Sequence, residues 1–558
     1  MIRLKIRPAL VVLSTVAILP LVASCTSPAP PPERFDVVEA TILEMQRAME
    51  DGRVTSRGLV EAHLLRIALY EERVNAVIAV NANALAEADR LDRERADGRI
   101  RGPLHGIPVA LKDNVHTTEL PTTGGALAFE GFVPPYEATL TANLREAGAI
   151  ILAKTVMTEL ANFTGRGMPG NYSAVGGFGL NPYDPRRDPR DGRNDGRPIM
   201  GTGGSSSGIG TASSFWAGNV GTETSGSILS PANATMLAAI KPTVGRVSRW
   251  GVIPITGDQD TAGPMARTVS DAAILLGALE GSAPDPNDPA TSRCEPPVNG
   301  DYTAFLNTDG LQGARIGIPR ALYYESVSVP DSDSTQNRLS EAGRVVMTEA
   351  IEVLRQQGAT IVDPADIPSI VDPDPAHNLL ANGGSSVLSY GMKRDFNTWL
   401  ATLGDSAPVK TLTELREWNL AHEQAGTLKY GQARLDGADE IDLEDAREQY
   451  ESDRARDLHL NGAHGIDEVM MTLELDALLF PASSGAGISA RPGYPTVIVP
   501  FAFAETEPDP PMPAGVDPKP RPFGVSFAGM ACSEPRLIEL AYAFEQATMR
   551  RVPPPGMP

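Results

Sequence analysis

Residues 201–230 read GTGGSSSGIGTASSFWAGNVGTETSGSILS, with two clusters of glycine and small hydroxyl residues close together. Glycine costs up to about 1 kcal/mol per residue inside a regular element, so neither cluster suits an ordinary helix or strand. A flexible Gly/Ser linker is the plain alternative. The flanks argue against it: Phe215, Trp216 and Ala217 separate the clusters, and Leu237, Ala238, Ala239 and Ile240 follow them. Apolar segments that need burial hold both clusters inside the molecule, as turns that approach other backbone or a ligand closely. Serines fixed on such turns are candidates for chemistry.

Upstream, residues 106–114 read GIPVALKDN, a short apolar run bounded by glycine and proline. It predicts a buried strand that ends on Lys112. A helix over 139–147, Gly148 and a strand over 149–154 (AIILAK) follow, and this alternation predicts an α/β fold. Helices are also predicted from Asp36 (Val38, Ile42, Met45 and Met49 recur at helical spacing before Gly52), over 59–70, over 82–96 and over 269–279. Residues 184–200 (DPRRDPRDGRNDGRPIM) are too broken by proline and glycine to pack a core and read as a surface loop running into the first cluster. Residues 332–473 are charged and helical in pattern, and predict a helical lobe inserted into the α/β core. Buried strands return over 475–499, and EPRLIELAYAFEQATMRR (534–551) reads as an amphipathic helix.

With 558 residues, 42% of them hydrophobic, the chain can bury a large core. Its formal charge of −22, with no local basic stripe, excludes nucleic acid as a partner. Arg3, Lys5 and Arg7 precede an apolar run from Ala9 to about Ala23, the layout of an export signal. Val22-Ala23-Ser24-Cys25 resembles a bacterial lipobox, which makes residues 1–24 a lipoprotein-type signal peptide and Cys25 the lipid-bearing terminus. The Pro-rich residues 25–34 then form a tether, and 35–552 the main domain, exported to the periplasmic or cell-surface side. Loss of residues 1–24 leaves a charge of −25. An uncleaved anchor and an ordinary cleaved signal are the alternatives. Cys294 and Cys532 are the other cysteines, and in an exported protein they leave open one disulfide.

A serine nucleophile needs a base, and the chain has seven histidines: His63, His105, His116, His377, His422, His459 and His464. Gly204-Ser205-Ser206-Ser207-Gly208 fits the nucleophile-elbow pattern and would nominate Ser206 with a later histidine, as in an esterase. That pattern needs a hydrophobic strand directly before it, and the polar 184–200 segment stands there instead. No H-E-x-x-H, paired Cys/His spacing or phosphate-binding Gly-Lys-Ser/Thr is present, so neither metal nor organic cofactor is predicted. Lys112 is either a surface lysine closing its strand or a buried amine whose pKa is depressed enough to act as base. A two-lobed solute-binding lipoprotein is the competing class.

GIPVALKDN (106–114), GTGGSSSG (201–208), GTETSGSI (221–228), IKPTVGRVSRWGVIPI (240–255) and QDTAGPMARTVSDAA (259–273) resemble the amidase signature family of serine hydrolases. RPGYPTVIVP (491–500) and PFGVSFAG (522–529) extend the likeness over roughly 35–552, nearest to its peptide-amidase-like bacterial members. The resemblance implies a mixed central β-sheet sandwiched by helices, and a Ser-cisSer-Lys triad. Ser227 is then the nucleophile, Ser205 the bridging serine after a cis peptide bond, and Lys112 the base. It further implies an oxyanion hole from the backbone N–H groups of Thr224, Ser225, Gly226 and Ser227, and hydrolysis of a small-molecule or peptide amide. Membership of the tRNA-amidotransferase branch is disfavoured by the export signal. Two features depart from the family pattern. The span from Ser205 to Ser227 is short, which puts the strand register ahead of Gly221 in question, and Met236 and Ala239 stand where glycines are expected.

Overall fold

Gly218–Glu223, in the middle of the glycine-serine stretch, is a central strand of an eleven-stranded mixed sheet in the computed structural model, which describes residues 35–557. The predicted signal peptide, Cys25 and tether lie outside the described residues. In chain order the sheet strands are β1 (Val77–Val80), β2 (Pro108–Lys112), β3 (Ile150–Thr155), β4 (Gly218–Glu223), β5 (Ala238–Lys241), β6 (Thr261–Ala266), β7 (Arg315–Gly317), β8 (Thr360–Val362), β9 (Ala477–Pro481), β10 (Thr496–Ala504) and β11 (Arg521–Ala528). Their spatial order is β1-β3-β2-β4-β6-β5-β10-β11-β9-β7-β8. Strand β2 runs parallel to both β3 and β4, whereas β4, β6, β5, β10, β11 and β9 are successively antiparallel.

The register of β4 is set against β2 by the pairs Val109↔Gly218 and Leu111↔Val220, which answers the question raised by the short span. Its glycines are required by contact. A Cβ on Gly218 would lie 2.7 Å from Leu275 Cδ1, and one on Gly221 would lie 2.8 Å from Ser206 Oγ, so the strand interior tolerates glycine because other groups fill the space.

Alternation along β2 builds the two layers. Val109 and Leu111 join an apolar cluster that includes Leu275 and Leu276 of helix Val269–Glu280 and Ile538 and Phe544 of helix Glu534–Thr548. Ala110 faces the other way, with Ile150, Leu152, Phe215, Trp216 and the helices Ser56–Val74 and Ala84–Ala96. The sheet is therefore sandwiched by helices, as expected. Helix Ile42–Glu50 starts at a capping box between Thr41 and Glu44 and turns out at Gly52, with φ +69°.

The segment 332–473 differs from a purely helical insert. Val346, Met347, Ile351 and Leu354 of helix Glu341–Gln356 belong to the sheet core, and Thr360–Val362 pairs in parallel with β7 at the sheet edge. The helices that stand off the sheet are Val387–Thr402, Leu412–Ala421, Ala433–Asp439 and Arg447–Leu458. The first three have a core of their own, in which Phe396, Trp399, Leu415 and Leu435 pack with Phe129, Phe163 and Ile253. Amphipathic period alone does not distinguish the two groups, because each buries one face and only the partner differs. The 184–200 loop is held by local ion pairs, in which Arg186, Arg190 and Arg197 each bind the aspartate two residues earlier. Met236 has φ +52°, the left-handed conformation that glycine adopts without strain, and Ala239 lies in β5.

Cys294 and Cys532 are joined in a disulfide across 238 residues of sequence. Closing so long a loop restricts the unfolded chain, and Cys532→Ser is expected to lower stability by about 2–5 kcal/mol. An unchanged denaturant midpoint in Cys532→Ser would show that the bond adds nothing in solution.

Candidate active site

The parallel strands β2 and β4 end at the same edge of the sheet, where α/β proteins place ligands. Lys112 closes β2, continues the face of Ala110 and is fully buried. Its Nζ donates to Ser205 Oγ at 2.8 Å, to Thr222 Oγ1 at 2.8 Å and to Thr222 O at 3.2 Å. Burial lowers its pKa from the ordinary lysine value to about 7, opposed by the charges of Asp260 and Glu223. Asp113 faces the opposite way, as strand geometry predicts, and pairs with the buried Lys154 at 3.3 Å while accepting from Thr123.

Sequence reasoning misses Thr222. Its signal is a β-branched hydroxyl residue between the glycines of GTETSG, on a strand neighbouring that of Lys112. Its Oγ1 also accepts from Asn114 Nδ2 at 3.0 Å, so Asn114 and Lys112 converge on one hydroxyl.

The two glycine-serine clusters meet through backbone. A Cβ on Gly204 would lie 2.7 Å from Ser227 Cα, Ser206 N donates to Ser227 O at 3.1 Å, and Thr158 N donates to Ser205 O at 3.1 Å. The turn after β4 is clamped by two carboxylates. Glu223 Oε2 accepts from Ile228 N at 2.7 Å and Leu229 N at 3.0 Å. Asp260 accepts the Thr224 hydroxyl and the N–H groups of Ile255 and Thr256, and Gln259 Nε2 donates to Thr224 O at 3.1 Å. Burial raises the Asp260 pKa to about 6. Gly226 has φ +94°, a turn conformation that glycine adopts without strain. Among the described residues, the N–H groups of Thr224, Ser225, Gly226 and Ser227 donate to no acceptor, and Ser227 Oγ makes no hydrogen bond.

Two expectations are corrected. The Gly204–Ser205 bond is trans: the cis bonds among the described residues are Asp363–Pro364 and Asp509–Pro510, where a tertiary amide makes that isomer cheap, while a non-proline bond would cost about 3 kcal/mol. With the trans bond, Ser205 Oγ still reaches Lys112. The elbow reading of Ser206 also fails. Its Oγ donates to Thr222 O at 2.9 Å and accepts from Thr222 N at 3.1 Å, so it stitches β4 to the first cluster. None of the seven histidines hydrogen-bonds to Ser205, Ser206 or Ser227 among the described residues. His63 and His116 are buried, with pKa values lowered to about 3 by loss of solvent.

A cavity of about 360 Å³ opens beside the clamped turn, with Ser225 and Gln259 in its wall and helix Arg447–Leu458, the 379–385 segment, Leu388 at the start of helix Val387–Thr402, and Ile488 around it.

A preformed turn with free N–H donors, two serines and a buried amine of lowered pKa is an arrangement suited to acyl transfer. The comparisons with known proteins point to amidases. Residues 58–538 match the family model described as Amidase. A probable amidase of Arabidopsis thaliana is 35% identical over 531 residues, covering 93% of this chain and 92% of that protein. The X-ray structure of a peptide amidase from Stenotrophomonas maltophilia superposes with a TM-score of 0.77 at 36% identity, covering 92% of this chain and 98% of that one. A glutamyl-tRNA(Gln) amidotransferase component from Synechococcus is 30% identical over 529 residues, covering 91% of this chain and 96% of that protein. With a match of this extent, the chain belongs to the amidase signature family and is an amidase acting on carboxamide C–N bonds.

Proposed function

We propose that this chain hydrolyses linear amides, peptide C-terminal amides or aryl and alkyl amides, through an acyl-enzyme on Ser227. The observation that carries the reading is the fully buried Lys112 amine 2.8 Å from Ser205 Oγ. As a neutral amine, Lys112 takes the proton of Ser205, Ser205 takes that of Ser227, and Ser227 Oγ attacks the amide carbonyl. The N–H groups of residues 224–227 receive the developing oxyanion. The proton returns along the same path to the leaving nitrogen, and water then releases the acid. Ser205 and Ser227 side chains are not hydrogen-bonded to each other in this structure, and catalytic hydrogen bonds commonly tighten only around the substrate. The route uses neither metal nor organic cofactor.

A hydrolysis screen over peptide C-terminal amides, aryl amides and short aliphatic amides tests the reading, together with a fluorophosphonate probe. Covalent labelling at Ser227 with release of ammonia or amine is the expected outcome. Absence of both, with reversible binding of a solute, would return the chain to the binding-lipoprotein class.

The location belongs to the same proposal. The lipobox-like Val22-Ala23-Ser24-Cys25 supports export and anchoring through a lipid on Cys25, which also argues for hydrolysis in place of service in a cytosolic amidotransferase. Cys25→Ser is expected to move the protein from the membrane to the soluble fraction. Retention on membranes would mean that the apolar run 9–23 is an uncleaved anchor.

A further inference from the structure

The cavity beside the 224–227 turn has a charge the rest of the molecule does not predict. Its charged lining residues are Arg338, Asp457 and Arg491, two guanidiniums against one carboxylate, in a chain whose formal charge is −22. Arg491 is neutralised by an ion pair to Asp457 and also reaches Gly383 O. Arg338 makes no ion pair and no side-chain hydrogen bond among the described residues; its guanidinium lies 5.9 Å from the centre of the Tyr323 ring. That ring is itself in the lining, and Arg338 is an exposed residue of the cavity wall whose guanidinium N–H donors bond to no protein acceptor among the described residues.

The rest of the lining sorts by chemistry. Leu322, Leu379, Leu388 and Ile488 supply apolar surface, and Ser225 and Gln259 belong to the clamped turn. The cavity therefore gathers the turn, an apolar wall and a guanidinium without an ion pair around one space. Planar guanidinium donors match a carboxylate bidentately. An acidic protein repels anions in general, so a local positive site there selects an anion by position.

We propose that the acyl portion of the substrate carries an apolar group next to the scissile carboxamide and a carboxylate beyond it, which Arg338 binds. This rests on the amidase reading above and names the substrate class for the same site. Arg338 is then a specificity-determining residue, acting on the acyl side and not on the leaving nitrogen.

The test compares N-succinyl-phenylalaninamide with N-acetyl-phenylalaninamide, which share the scissile group and apolar side chain and differ in one carboxylate. The wild-type chain is expected to favour the succinyl compound in kcat/KM by about tenfold at low ionic strength. Salt should shrink the ratio. Arg338→Gln should bring it near one, Arg338→Glu should invert it, and Arg338→Lys should restore part of it. A wild-type ratio of one, or a ratio that survives Arg338→Glu, overturns the proposal. Calorimetric binding of the uncleavable N-succinyl- and N-acetyl-phenylalaninol separates it from the hydrolase reading. Tighter binding of the succinyl compound through Arg338, without turnover of either amide, would sink the hydrolase reading and keep this one. Equal binding would sink this one whatever the rates.

Discussion

Ser227→Ala is expected to lower amide turnover by at least about 10⁴-fold and to abolish acyl-enzyme formation, with folding unaffected. Both halves follow from the same observation. Ser227 Oγ makes no hydrogen bond among the described residues, so its removal breaks no bond of the fold but deletes the one atom proposed to attack the carbonyl. Ser206→Ala should behave in the opposite way. Its Oγ bridges the N–H and C=O of Thr222, and removing it leaves the buried N–H without that partner while the C=O keeps Lys112 Nζ, a loss of about 1–3 kcal/mol. Intact-mass measurement after fluorophosphonate treatment, alongside thermal midpoints, distinguishes the two variants. A Ser227→Ala protein that is still labelled at wild-type rate would end the assignment.

Lys112→Met should cost about 10²–10⁴-fold in turnover, the usual scale for a lost base, and should remove the pH dependence of acylation. In the wild type the amine works when neutral. With its pKa near 7, the rate should fall tenfold per pH unit below 7 and level off above it. Stability carries the same signature. The folded-state pKa lies below the unfolded value of about 10.4, so between these values the unfolded chain binds the extra proton. Stability from this site therefore rises with pH across the window from about 7 to 10, and below 7 the full penalty is present. Lys112→Met should flatten that slope, read as urea midpoint against pH. A variant with the wild-type rate and the wild-type slope would return the search for a base to other groups.

Much of the site is legible in residue order. The apolar run before Lys112 predicts strand β2 and leaves the amine either at the surface or buried; the tertiary structure buries it. Strand direction also predicts that Asp113 faces away from Lys112, and Lys154 meets it there. The groups that oppose Lys112's neutral state are not legible. Glu223 and Asp260 are 111 and 148 positions away in sequence, and only the pairing of β4 with β2 and β6 brings them near. The 332–473 reading differs from the structure for a related reason: helices Glu341–Gln356 and Val387–Thr402 each carry an apolar face, and the pattern does not say which surface each one covers.

Residue order was enough for the α/β class, for the turns at the two glycine-serine clusters and for the residues worth testing. These depend on local propensity, on periodicity and on glycine's freedom near other backbone, all of which are written within a few neighbouring positions. Folding in three dimensions was needed to settle that Thr222 holds Lys112, that Gly204–Ser205 is trans, that Ser206 is structural and that Arg338 faces the cavity unpaired. Each of those depends on contacts between segments far apart in the chain, whose distances are set by sheet order and register and not by any property of the residues taken in sequence.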